Sequence, residues 1–455
     1  MAKQSKGRRA VVAQKNDNRR IWLIVVPVLA FFIKMIVMAN TAKGGWLGAD
    51  GENYLSGVDG LLAEGFFSKK QVLTYWPAGY PLFIWPLVEI SIENFLYFLS
   101  FIQSIFFAFA TYFFTVQLLK LRLSFLAVLT SFLISFNPTL SLSTNAVGYE
   151  SLISSLLLIS IGLMVKSKVS LVTFHSLKYA LASVVLLGFA SFLQPKFILS
   201  GVVLMFLYSL TLVSKKIRLQ FIALSVVILM VLPSVLILRN IVSNNLYAIA
   251  TELGGTMRIG AGEKTSGGYG SPDGTITCEP KPPATESTDS QVVRCILKWY
   301  VTHPTKTAKL AVSKSILYWS PWSGPIANGT MARNPWLKIN PIIDITKNQE
   351  GRDLVYGPFG KAVSWLWIVG QLVLLFSGLI WLWKMGGSEK LLAKLAGAPV
   401  ILGWLISLGT IGDHRFRIPQ MGLSLFLQVV GFYALRKRLS VAGVAPTLEA
   451  STKAR

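Results

Sequence analysis

Ile21-Trp-Leu-Ile-Val-Val-Pro-Val-Leu-Ala-Phe-Phe-Ile-Lys-Met-Ile-Val-Met-Ala-Asn40 is apolar over about the 20 residues a helix needs to cross a bilayer. It fixes the fold class as all-α integral membrane, because a helix satisfies its own backbone hydrogen bonds in lipid. Just beyond it lie Asp50-Gly-Glu-Asn-Tyr54 and Tyr75-Trp-Pro-Ala-Gly-Tyr-Pro-Leu-Phe83. Two carboxylates, Asp50 and Glu52, are thereby placed at the membrane surface, where charge has to be accounted for.

The rest of the chain extends this reading. Of 455 residues, 53% are hydrophobic and 14% charged, more apolar surface than a soluble domain of this size buries. The net charge of +24 does not point to a nucleic-acid partner, since the basic residues gather at the ends of apolar runs. They act there as topology and anionic-lipid signals. The basic arm 1–20 is expected on the cytoplasmic side, with Lys120/Arg122, Lys166/Lys168, Lys215/Lys216/Arg218, Lys384 and Arg436-Lys437-Arg438. The arm runs into the first span without a small-residue cleavage site, so that span is expected to be retained.

Apolar runs at 21–40, 94–117, 123–138, 149–166, 177–194, 197–214, 219–241, 361–384, 391–411 and 417–435 predict about ten spans with both ends inside. The shorter runs 78–90 and 310–322 are expected to lie along the outer face. The chain divides into the arm, an N-terminal transmembrane module at 21–240 with a first outer loop at 41–93, and a large outer region at 241–360. A C-terminal module at 361–438 and a cytoplasmic tail at 439–455 complete it. Most non-membrane mass falls on one face, which is where chemistry is expected. Cys278 and Cys295 sit in the large outer region, where an oxidising compartment favours a disulfide over two free thiols. Two Cys and three His give no zinc-ligand spacing.

Asp50 is either a general base or the N-cap of a helix over 52–65. Glu150, in Gly148-Tyr-Glu-Ser151, is either a site acid or a first-turn residue favoured by the helix dipole. Lys196, Arg239, Arg415 and Arg417 fall at outer span ends, against the positive-inside tendency. A lipid phosphate at that depth needs such cations, and a snorkelling anchor is the alternative for each. Thr251-Glu-Leu-Gly-Gly255 and Gly267-Gly-Tyr-Gly270 form a glycine-rich outer segment, and a phosphate loop is excluded by the absence of Gly-Lys-Ser/Thr.

Asp50-x-x-x-Tyr54, the aromatic Pro-x-Gly-Tyr-Pro run, the Arg239-Asn240 pair and Arg415-Phe-x-x-Pro419 together resemble the GT-C membrane glycosyltransferases, among them the protein mannosyltransferase-like and aminoarabinose transferase-like branches. The resemblance implies a bundle of about ten transmembrane helices with juxtamembrane helices and one large loop on the outer face. It implies transfer of a sugar from a polyprenyl-phosphate carrier to a glycan, lipid or protein acceptor, by inverting displacement on the outer face; a compact chain without soluble domains favours a bacterial plasma membrane. Asp50 would be the base, Glu52 and Glu150 supporting acids, and Lys196, Arg239, Arg415 and Arg417 the phosphate ligands. Tyr54, Tyr80, Glu252 and Tyr269 would shape the cavity, and Asp50 with Glu52 could hold Mg²⁺ or Mn²⁺. A transporter or lipid-handling protein is the alternative. It would carry its ionisable groups near the bilayer midplane, whereas here they cluster at span ends.

Overall fold

The structure, a computed structural model, describes residues 2–39, 50–121, 123–169, 173–268, 276, 286–320 and 348–442. Regular structure among the described residues is helical throughout. Each of the ten apolar runs is found as a helix, although their lengths differ. Seven helices are long and apolar enough to cross a membrane, and the bent pair Ser124–Phe136 and Pro138–Asn145 makes an eighth if counted as one span. Leu177–Leu193 and Phe197–Ser209 are shorter apolar helices.

Sequence pattern explains which faces are buried. In the Ala2–Ala39 helix, Leu23, Val26, Ala30, Lys34 and Met38 recur at three- and four-residue spacing and are buried, while Ile21, Trp22, Phe32 and Ile36 on the other sides are exposed. The buried stripe packs on the Phe95–Lys120 and Ser124–Phe136 helices. The Glu150–Val169 helix is buried nearly all round and packs against Phe95–Lys120, Thr173–Leu193 and Ile418–Ala442, so it joins the two modules. Ser155 donates to the carbonyl of Ser151 at 2.9 Å within this helix, and Ser167 shares a hydrogen bond with the Tyr208 hydroxyl of a neighbouring one at 2.5 Å. In the C-terminal module the Pro358–Met385 and Ile418–Ala442 helices cross at Gly378 and Gly431. A Cβ on Gly431 would meet the Leu374 carbonyl at 1.8 Å, and one on Gly378 the Leu427 carbonyl at 2.0 Å. Only residues without a side chain permit backbones that close.

Helix breaks deliver the polar residues. Asn137 accepts from the Leu140 amide at 2.9 Å and Pro138 starts the next segment, so the apolar run bends by 56° there. Gln194-Pro195-Lys196 separates Thr173–Leu193 from Phe197–Ser209. Asn245, with φ of 54°, closes the Lys215–Asn244 helix in the left-handed conformation that asparagine tolerates. Gly79–Ile90 and Pro304–Trp319 are helices outside the candidate spans, matching the two short runs. The basic arm continues the first helix without interruption.

Candidate active site

Residues expected at one end of the spans come together in contact. Asp50 precedes the Gly51–Glu64 helix, but its side chain makes no cap hydrogen bond. It turns to Arg415 instead, with Oδ2 2.5 Å from Nη1. Glu150, at the start of its helix, binds the Nε of the same guanidinium. Both acids and the arginine are largely buried. Arg415 is held by a short 3₁₀ turn, His414–Arg417, in which Asp413 Oδ1 accepts from the Arg415 amide at 2.8 Å.

The turn sends its three successive side chains different ways. Phe416 faces Lys196, whose Nζ lies 4.4 Å from the ring centroid. Arg417 leaves the cluster: it donates to the Trp319 carbonyl at 3.2 Å and to Gln371 Oε1 at 2.9 Å, and stacks over Trp319. Lys196 also donates to the Tyr149 hydroxyl at 3.2 Å, and among the described residues no carboxylate lies within ion-pair distance of it.

Asp50, Tyr149, Lys196 and Phe416 help to wall a cavity of about 330 Å³, within the range of small-ligand sites. Asp50, Tyr149, Gln194, Lys196 and Glu252 supply its polar wall, and Trp76, Phe197, Leu253 and Ile406 much of the apolar one. Burial pulls the Lys196 ammonium down to about 8, with Glu150 and Glu252 opposing the change. Burial also pushes the Glu252 carboxyl up to about 7, against the attraction of Lys196 and a hydrogen bond with Gln194. Burial thus moves both groups toward the neutral pH range from opposite sides, with Lys196 keeping its charge below about 8.

Several expected site residues serve the walls rather than the cavity. Arg239 is fully buried, and its guanidinium is spent on the carbonyls of Phe66 at 3.0 Å, Ser68 at 2.5 Å and Leu73 at 3.3 Å, and on Asn240 Oδ1 at 2.7 Å. Asn240 in turn donates to the carbonyls of Ala248 and Ile249 at 2.8 and 3.0 Å. The pair clamps two loops that border the site, in place of the expected phosphate contact. Tyr80 is buried and accepts from the Gly148 amide at 2.8 Å, fixing the turn that presents Tyr149 and Glu150. Tyr54 packs edge-on against it at 4.9 Å. Glu52 is exposed and Asp50 is turned toward Arg415, so the two acids named as possible metal ligands face different surroundings. Tyr269 and Cys278 lie outside the described residues, and Cys295 sits on the Glu286–Thr302 helix.

Sequence reading did not single out Gln194, Phe416 or Lys314. Gln194 carried a signal, as a polar residue beside Pro195-Lys196 that interrupts an apolar run. Lys314 is buried on the Pro304–Trp319 helix and donates to the carbonyls of Leu408 at 2.9 Å and Thr410 at 2.6 Å and to the Tyr300 hydroxyl at 3.1 Å. A cation at the carbonyl end of Gly387–Gly409 opposes the helix dipole and holds the stretch where Ile406, Ser407 and Thr410 meet the cavity. Burial pulls the Lys314 ammonium down to about 7.

Fold and site together define a multi-pass α-helical membrane protein with a buried, ionisable cavity at one end of the bundle. Among solved structures, the chain is similar to the archaeal oligosaccharyltransferase AglB from Archaeoglobus fulgidus in complex with an inhibitory peptide and a dolichol-phosphate, at 13% identity and a TM-score of 0.46, over 95% of this chain and 53% of that one. It is similar to the apo form of the Archaeoglobus fulgidus oligosaccharyltransferase at 11% identity and a TM-score of 0.47, covering 93% and 51% of the two chains. A complex of that enzyme with Zn and sulfate gives 13% identity and a TM-score of 0.47, with 91% and 50% covered. The chain spans about half the length of these structures. No protein-family model and no curated protein matches it.

Proposed function

We propose that this protein is a membrane glycosyltransferase of the GT-C kind that moves a sugar from a polyprenyl-phosphate carrier to an acceptor hydroxyl or amide on the non-cytoplasmic face. The observation that carries the reading is the cavity itself, which sets a carboxylate, Asp50, and a buried ammonium without an ion-pair partner among the described residues, Lys196, in one wall. Direct displacement needs those two groups. As the acceptor oxygen or nitrogen bonds to the anomeric carbon, its proton passes to Asp50. The bond from that carbon to the phosphate oxygen breaks, and the leaving phosphate keeps the electron pair. Lys196 meets the charge that develops there, assisted by Tyr149 and Gln194 in the same wall. The anomeric configuration inverts because a single displacement occurs.

Arg415 is assigned to orienting Asp50 and Glu150, since both acids occupy its guanidinium. Glu252 is assigned to a sugar hydroxyl, and Arg239 and Arg417 to the scaffold. A positioned base contributes about 10²–10⁴-fold, and a donor aimed at developing charge about 10²–10³-fold. The test is incubation of membranes carrying the protein with radiolabelled polyprenyl-phosphate sugars, comparing wild type with Asp50→Asn. Label should move to an acceptor with wild type only. Undiminished transfer by the variant would remove Asp50 from catalysis, and no transfer from any lipid-linked sugar would favour a transport or lipid-handling role.

A further inference from the structure

We propose that the Arg415 guanidinium takes the place a divalent cation would fill between Asp50 and Glu150, so that the site is built to work without a metal and becomes a metal site when that guanidinium is removed. The part concerning turnover rests on the glycosyl-transfer reading; the part concerning ion binding does not.

Two buried carboxylates that converge need a cation between them, because burial penalises each charge and proximity adds repulsion. Asp50 and Glu150 come from segments far apart in the chain and meet on one side chain, Asp50 through Nη1 at 2.5 Å and Glu150 through Nε. A guanidinium satisfies the two with directed donors and fixes their planes, much as a hard ion would gather their oxygens. The arginine is preorganised for the task. Asp413 holds its backbone amide, and the next two residues, Phe416 and Arg417, are committed to Lys196 and to Trp319 with Gln371.

A divalent ion and Arg415 cannot share the position. Three positive charges would then face two carboxylates, with Lys196 close by, and the displaced guanidinium would be buried without its partners. The alternative carboxylate pairing, Asp50 with Glu52, is not formed, since Glu52 is exposed. Among the described residues no group of three or more His, Cys, Asp or Glu is placed to hold a metal ion. The donors that do converge are therefore suited to a guanidinium and unsuited to a metal while Arg415 is present.

The experiment uses full-length protein in lipid nanodiscs and reads Mn²⁺ binding by electron paramagnetic resonance, independently of turnover. Wild type and Arg415→Lys should show no tightly bound Mn²⁺, and wild type should keep its transfer rate after exhaustive chelation. Arg415→Ala should acquire one bound Mn²⁺ per chain, lost again when Glu150→Gln is added. Mn²⁺ bound by wild type and abolished by Asp50→Asn or Glu150→Gln would overturn the proposal, as would a folded Arg415→Ala protein that binds none. If Arg415→Ala does not fold, Arg415→Met takes its place: one bound Mn²⁺ per chain, lost with Glu150→Gln, upholds the proposal, and none bound by the folded variant, or Mn²⁺ held by the two acids in wild type, refutes it. Failure of wild type to transfer sugar with or without metal would count against the glycosyltransferase reading, and would leave the Mn²⁺ result interpretable.

Discussion

Replacing Lys196 with methionine removes the cavity's ammonium while keeping an unbranched side chain against Phe416. Lys196 makes no ion pair among the described residues; it donates to Tyr149 at 3.2 Å and faces Phe416 at 4.4 Å. Its charge is thus available to an incoming phosphate rather than spent on a carboxylate. Two unit charges about 4 Å apart interact by about 4 kcal/mol at an effective dielectric of about 20. Loss of one preorganised donor to developing charge typically costs about 10²–10³-fold in kcat, or about 2.7–4 kcal/mol, so the two estimates agree. Part of the phosphate charge is present before reaction, and the variant should therefore raise KM as well as lower kcat.

The pH profile gives an independent signature. The Lys196 ammonium, pulled down to about 8 by burial, is charged below that pH and neutral above it. In wild type kcat/KM should fall as pH rises through about 8, because this ratio reports groups of the uncomplexed enzyme. In Lys196→Met that alkaline fall should vanish, and Lys196→Arg should restore part of the rate with the fall displaced upward. The assay is initial-rate transfer from a labelled polyprenyl-phosphate sugar in nanodiscs across pH 6 to about 10, a range bracketing the lysine titration. A Lys196→Met enzyme within a few-fold of wild type that keeps the alkaline limb would refute the assignment.

Asp50→Asn should cost about 10²–10⁴-fold in kcat, since it removes the proposed base, and should also lower the melting temperature, since it breaks the buried pair with Arg415; scanning calorimetry alongside rate measurement separates the two effects. Arg239→Leu should instead act on stability, by about 3 kcal/mol or more, because it strands the carbonyls of Phe66, Ser68 and Leu73. Thermal unfolding checks this, and a variant as stable as wild type would contradict the clamp. Gly431→Ala should cost about 1–3 kcal/mol through the clash with the Leu374 carbonyl, read as lower folded yield on size exclusion, whereas Gly370→Ala, whose added Cβ meets nothing within 4 Å, should be neutral.

The membrane fold was legible because an apolar run of the right length has few alternatives. All ten runs became helices, and even the bend near Asn137-Pro138 lay where a proline interrupts one. The sequence also placed charged residues at the correct ends of helices, which is how Asp50, Glu150, Lys196 and Arg415 came to be grouped. It did not tell which way each side chain points. Arg239 is adjacent to Asn240 and faces the 66–73 loop, a direction fixed by carbonyls more than 160 residues away in the chain. The His414–Arg417 turn is 3₁₀, with about three residues per turn, so Arg415 and Arg417 diverge and reach different partners. Gln194 stayed unrecognised for a related reason: its value lies in neighbours, Tyr149 and Glu252, that no local pattern connects to it.

The central claim, that the cavity cleaves a lipid-linked sugar, is tested most directly by phosphorus-31 NMR of purified protein in nanodiscs supplied with a polyprenyl-phosphate sugar and a mixed acceptor pool. The account predicts that the phosphodiester signal gives way to polyprenyl monophosphate with wild type, and persists with both Asp50→Asn and Lys196→Met. A phosphodiester that stays intact with wild type, or that disappears equally fast with both variants, would contradict it.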